Sequence, residues 1–137
     1  MLGDHLVFPI LLSMDLAKSR EFYHDTLGLD ILRQDEERIA FRCGSGSQLT
    51  VTLSTTGTSD TQTQLAWRVP DLRAELADLR ARGVRIEAYD APDPKTDADG
   101  IADMGFAWAA WIIDPSGNAL GIIQPKGAPA APPRVTE

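Results

Sequence analysis

The sequence predicts an α+β fold built from one unit used twice: a strand, a helix, then three strands. Two observations carry this. The element patterns run in the same order on either side of a polar stretch, Ser54 to Thr63. The helix borders also match: Asp15-Leu16 opens the first helix and Asp71-Leu72 the second, while Leu27-Gly28-Leu29 closes the first and Arg82-Gly83-Val84 the second. Any two strand–helix units look somewhat alike, but matched borders with equal strand counts favour duplication. A chain of 137 residues suits one domain with one core.

Val7 to Leu12 is an apolar run and predicts a mostly buried strand, with Pro9 pointing to an edge or a bulge. Asp15 caps a helix in which Leu16, Phe22, Tyr23 and Leu27 recur at helical spacing, and Gly28 stops it. Leu29 to Arg33, Arg38 to Arg42 and Leu49 to Leu53 read as strands, the last favoured by the β-branched Thr50, Val51 and Thr52. Polar turns separate them, Gln34 to Glu37 and Gly44 to Ser47. In the second half, Gln64 to Val69 reads as a strand. Asp71 caps a helix with Leu72, Leu76 and Leu79 on one face, and Gly83 ends it. Val84 to Tyr89 reads as a strand and the residues from Asp90 to Gly105 as a long acidic loop. Phe106 to Ile113 and Ala119 to Gln124 read as strands joined by the turn Asp114-Pro115-Ser116-Gly117. The expected organisation is one domain over 1–126, with module one at 5–54 and module two at 63–125. An Ala- and Pro-rich flexible tail is expected over 127–137.

Composition limits the partners. Apolar residues make up 43% and charged residues 24%, an ordinary globular balance. A net charge of −7, with acids spread along the chain, disfavours nucleic acid and anionic membrane surfaces. No apolar run approaches the ~20 residues needed to span a bilayer. Met1 to Asp4 carries an acid and no basic region, so no signal peptide and a cytoplasmic location are expected. The single Cys43 allows no internal disulfide. A small molecule and a second copy of the chain remain as partners.

FPILLSMDLAKSREFYHDTLGL, from Phe8 to Leu29, and LAWRVPDLRAELADLRARGV, from Leu65 to Val84, resemble the openings of the two modules of the vicinal oxygen chelate superfamily. That group comprises glyoxalases, bleomycin resistance proteins and dioxygenases. AAWIIDPSGNALGIIQ, from Ala109 to Gln124, resembles the closing hairpin with its DP-x-GN turn. The resemblance covers nearly the whole chain except the tail. It implies two βαβββ modules whose curled mixed sheets surround a cleft, and a homodimer. It also implies four metal-ligand positions. The first lies seven residues before the capping Asp15, at Phe8, and the second in the fourth strand, at Thr50, or at Thr52 after a register shift. The third falls at Gln64, and the fourth, seven residues after Asp114, at Gly121.

This set is a poor cation site. Phe and Gly side chains offer no lone pair, a Thr hydroxyl is a weak ligand, and a Gln amide is neutral. Divalent ions favour imidazole, thiolate or carboxylate. The two histidines do not repair it: His5 has the opposite strand parity to Phe8, and His24 lies in a helix. Neither metal nor cofactor is therefore expected. The acids of the 90–105 loop lack the spacing of a calcium loop, and GSGS at 44–47 lacks the context of a nucleophile or phosphate loop.

Strand alternation extends the cleft from Phe8 to Ile10 and Leu12, pairs Thr50 with Thr52, and carries Gln64 on to Ala66 and Arg68. Arg68 is equally readable as an exposed strand end, and Gln64 as a partner to a neighbouring strand. Trp108 and Trp111 have opposite parity, so one faces the cleft; core packing is the commoner fate of a tryptophan. The expected ligand cleft is Phe8, Ile10, Thr50, Thr52, Gln64, Arg68, Trp108 and Gly121, with Gly121 leaving an apolar slot beside the last strand. The leading expectation is a metal-free protein that holds an apolar or aromatic small molecule, for instance to sequester it. The alternative is a lyase, isomerase or dioxygenase-like enzyme of the same fold, using a displaced metal or metal-free acid–base chemistry. A third reading is a dimeric interaction module without a ligand. The 90–105 loop is either a lid or a solvated connection.

Overall fold

The computed structural model describes residues 1–54, 62–90 and 95–127. Most of the expected linker, part of the acidic loop and the tail beyond residue 127 lie outside the described residues.

Module one comprises β1 (Ile10–Ser13), α1 (Leu16–Arg20), β2 (Asp30–Gln34), β3 (Arg38–Arg42) and β4 (Gln48–Leu53). Module two comprises β5 (Thr63–Arg68), α2 (Leu72–Ala81), β6 (Ala102–Asp103), β7 (Ala107–Ile113) and β8 (Ala119–Pro125). Among the described residues the strands form two four-stranded mixed sheets, ordered β1-β4-β3-β2 and β5-β8-β7-β6. In each, the module's first strand lies at one edge and pairs parallel with its last strand, and the other pairings are antiparallel. Neither sheet closes on itself, so β1 and β5 each present one unladdered edge.

The duplicated helix starts are real at the atomic level. Asp15 accepts a hydrogen bond from the Lys18 amide at 3.2 Å, and Asp71 one from the Ala74 amide at 3.1 Å. Each cap satisfies a backbone donor that the first helical turn leaves unpaired. Both helical segments end at a glycine with positive φ, +80° at Gly28 and +82° at Gly83. The first helix differs from expectation in its second half, where Glu21–Thr26 widens into a π-turn.

Two expected strands are altered. The first begins at Ile10, because Pro9 has no N–H to give a ladder and contributes only its carbonyl, which accepts from the Thr50 amide at 3.0 Å. Val84 to Tyr89 forms no ladder of its own. Only the Glu87 amide reaches β7, donating to the Trp111 carbonyl at 2.9 Å. The rest of that edge is taken by β6, a short strand inside the expected loop, which pairs Ala102 with Ala109 and Asp103 with Trp108. The loop folds back so closely that a Cβ on Gly100 would stand 2.7 Å from the Ile86 Cγ2 atom.

Both sheets bury their helix-bearing faces in one apolar cluster. Leu11, Ile39, Phe41, Leu49 and Val51 come from sheet one, Ala110, Ile112, Leu120 and Ile122 from sheet two, and Leu72, Leu76 and Leu79 from α2. A polar clasp reinforces this junction. The Tyr23 hydroxyl donates to Asp114 at 2.7 Å, the Asn118 side chain donates to Asp114 and to the Leu12 carbonyl at 2.8 Å each, and the Met14 amide donates to the Ser116 hydroxyl at 3.1 Å. The DP-x-GN turn thus joins module two to β1 and to the first helix.

Candidate functional site

Because both helix-bearing faces enter one core, the other face of each sheet is directed away from it. On sheet one this open face alternates as strand geometry requires. Leu11 and Ser13 are buried while Ile10 and Leu12 are exposed, and Thr50 and Thr52 share their side. The register places Ile10, Thr50, Ala40 and Arg33 in one row across the four strands. A cavity of about 600 Å3 lies over this row, lined by Phe8, Ile10, Ala40, Thr50, Thr52, Arg33, Gln34, Asp35 and Arg38. Ala40 and the buried Thr50 form its low floor. Phe8 and Ile10 stand on one flank, and Arg33 and Arg38 on the other.

Four expected site residues, Phe8, Ile10, Thr50 and Thr52, therefore come together. Gln64, Arg68, Trp108 and Gly121 do not join them: none lines this cavity. Trp108 has the parity of Ala110 and Ile112 and sits on the α2 side, beside Leu72, Ile101 and Gln124, with the Lys126 ammonium 5.0 Å from its ring centroid. Trp111 is the tryptophan of the open face. It lies on β7 opposite Gly121, and its indole N–H reaches across β8 to donate to the Thr63 hydroxyl at 2.9 Å. Its ring meets Tyr89 edge-on at 5.6 Å.

A local irregularity sets the position of Gln64. β5 carries a bulge between Thr63 and Leu65, so Thr63 takes the register position opposite Ala119 and Gln64 falls within the irregularity. Arg68 is exposed at the end of β5 and borders a separate groove of about 250 Å3 with Leu27, Leu29 and Trp67. Gly121 opens no slot either. A Cβ there would meet the Ala66 Cβ and the Thr63 Cγ2, each at 3.3 Å, so β5 already occupies the space.

The cavity's cationic flank was not anticipated. Arg38 could have been found, because Ile39 and Phe41 are the apolar partners that turn Arg38 and Ala40 outward on β3. Arg33 could not. A bulge in β2 between Ile31 and Arg33 sets Arg33, and not Leu32, opposite Ala40. Asp35 lines the cavity as well, but its carboxylate is engaged: it accepts the Glu37 and Arg38 amides at 2.8 and 3.0 Å. Those bonds, with the nearby Arg38 charge, hold it below the usual carboxylate range. The Arg33 guanidinium makes no ion pair or hydrogen bond among the described residues.

The described part of the acidic loop is not placed over this cavity. It is fastened to α2, where Arg73 pairs with Asp99 at 2.8 Å and Arg80 donates to the Asp99 carbonyl at 2.6 Å. Cys43 is half-buried, and burial pushes its thiol up despite a hydrogen bond with Trp67, which suits packing better than nucleophilic chemistry. Among the described residues no cluster of three or more His, Cys, Asp or Glu side chains could hold a metal ion. Phe8, Thr50, Gln64 and Gly121 supply no strong donor, so these four positions do not fit the family's metal.

Solved structures share the architecture. A bleomycin-binding protein in complex with bleomycin superposes with a TM-score of 0.65 at 22% identity, covering 88% of this chain and 98% of its own. TnmS3, an antibiotic-binding protein from a Streptomyces species, gives 0.66 at 24% identity over 88% and 95%. A lactoylglutathione lyase from Agrobacterium tumefaciens gives 0.63 at 17% identity over 88% and 92%. At these identities the likeness is one of fold. Comparison with curated proteins returns no match. The family profile of the Glyoxalase/Bleomycin resistance protein/Dioxygenase superfamily matches residues 4–122. With paired modules, matched caps and the DP-x-GN clasp in place, the chain belongs to that superfamily.

Proposed function

We propose that this protein binds an apolar or aromatic small molecule, without a metal, on the open face of sheet one. The cavity over Ala40 and Thr50 carries the reading. Its volume of about 600 Å3 falls within the range of small-molecule sites, and Phe8 and Ile10 offer apolar surface that gains roughly 25 cal/mol per Å2 on burial. Thr50 and Thr52 add hydroxyls that can orient a ligand. An enzymatic role is less well served. Asp35 is the only carboxylate among the described lining residues, and its hydrogen bonds weaken it as a base. Bleomycin- and antibiotic-binding proteins of the same fold support binding as the general activity.

A homodimer is part of the proposal. Phe8, Ile10 and Leu12 are 49%, 55% and 36% exposed on one face, and β1 and β5 each leave an edge unladdered. A second copy set against this face would wall the cavity. The test is fluorescence titration with the neutral aromatic probe N-phenyl-1-naphthylamine. Saturable binding of micromolar strength, unchanged by a chelator and weakened at least fivefold by Ala40→Phe, is expected. Absence of saturable binding, or binding that requires added metal, would refute the proposal.

A further inference from the structure

We infer that the ligand carries an acidic group, so that its class is an aromatic or alicyclic anion and not a neutral hydrocarbon or a cation. This rests on the binding site proposed above and adds the charge of its occupant. The two flanks of the cavity differ in kind. Ile10 and Phe8 are apolar, whereas Arg33 stands at the far end of the same row. Three strand spacings separate Ile10 from Arg33, about 14 Å between backbones. That distance suits a body of about two fused rings with one acidic substituent.

The charge balance of the flank favours an anion. Asp35 is the acid beside it; its Oδ1 receives two backbone amides, and its Oδ2 lies 3.9 Å from the Arg38 guanidinium. Arg38 also pairs with Glu37 at 3.3 Å. Arg33 alone brings a guanidinium into the cavity with no ion pair among the described residues. Its planar fork of donors matches carboxylate, sulfonate or phosphate oxygens. The chain as a whole carries −7, so attraction of an anion is a local property of this flank. The bulge in β2 creates it, since unbroken alternation would set Leu32 opposite Ala40.

The test compares two probes with the same aromatic body, 8-anilinonaphthalene-1-sulfonate and N-phenyl-1-naphthylamine, which differ by the sulfonate. The sulfonate should bind about tenfold more tightly at low salt, and the gap should narrow as ionic strength rises. Arg33→Gln should remove most of that gap, lowering sulfonate affinity far more than neutral-probe affinity. Arg85→Gln, an exposed arginine in module two, should leave the gap intact. Equal affinity for the two probes, or a gap indifferent to Arg33→Gln, would overturn the acidic-ligand inference while leaving the binding site standing. Failure of both probes to bind would overturn the site and the inference together.

Discussion

Asp114 shows how one residue holds the two modules together. It is buried and accepts from the Tyr23 hydroxyl, the Ser116 and Asn118 amides and the Asn118 side chain. Removing it leaves several buried donors without an acceptor, each costing about 1–3 kcal/mol. Asp114→Ala is therefore expected to lower stability by about 3–5 kcal/mol, measured by urea unfolding, and Tyr23→Phe by about 1–2 kcal/mol. The phenol also carries a pH signature. Burial first, then the neighbouring Asp114, push the Tyr23 hydroxyl far above its ordinary 10.0. Below pH 10 the phenol is neutral in both states and its hydrogen bond contributes in full. Above it the unfolded phenol ionises while the buried one stays protonated, so this contribution falls as pH rises. The stability gap between the native protein and Tyr23→Phe should shrink between about pH 10 and 12. A gap constant across that window would count against a buried neutral phenol.

At the scale of elements, β8 and β5 are packed too closely at Gly121 for a side chain to be neutral. A Cβ at 3.3 Å from both Ala66 and Thr63 requires β5 to give by a few tenths of an ångström. Gly121→Ala should cost about 1–2 kcal/mol in chemical denaturation, with the cavity on sheet one keeping its affinity for N-phenyl-1-naphthylamine. Gly121→Glu is expected to unfold module two, since neither chain nor charge has room there. A stable Gly121→Glu protein would mean that β5 moves more freely than its parallel pairing with β8 suggests. The two bulges also belong to this scale. One brings Arg33 to the cavity and the other brings Thr63 to Trp111, and each replaces the residue that simple alternation would select.

For the whole molecule, the shared core determines where a ligand can sit. The sheets turn their helix-bearing faces inward together, and among the described residues the cavity over Ala40 and Thr50 is lined from module one alone. A closed site then calls for a second copy, and sedimentation equilibrium at micromolar concentration should report a dimer. A species that remains monomeric there would leave the cavity open to solvent and defeat the dimeric part of the proposal. Phe8→Asp places a charge on the exposed apolar flank and should shift that equilibrium toward monomer by at least tenfold.

Periodicity, helix caps and punctuation by glycine were enough to read the duplicated βαβββ order, the buried face of α2 and the outward turn of Ile10, Thr50 and Thr52. These are local properties, set by backbone sterics and by the repeat of two or 3.6 residues. The chemistry of the four family positions was equally plain, since the donor character of Phe8, Thr50, Gln64 and Gly121 does not depend on the fold. Which residues share one cavity depended on long-range geometry. Bulges shift register by one residue without a mark in the apolar pattern, so the placements of Arg33 and Thr63 stayed hidden. The parity of Trp108 and Trp111 was legible, but the side that carries the helix was not. Only the packing of Ala110 and Ile112 against α2 and the shared core assigned Trp108 to the helix side, and left Trp111 on the open face.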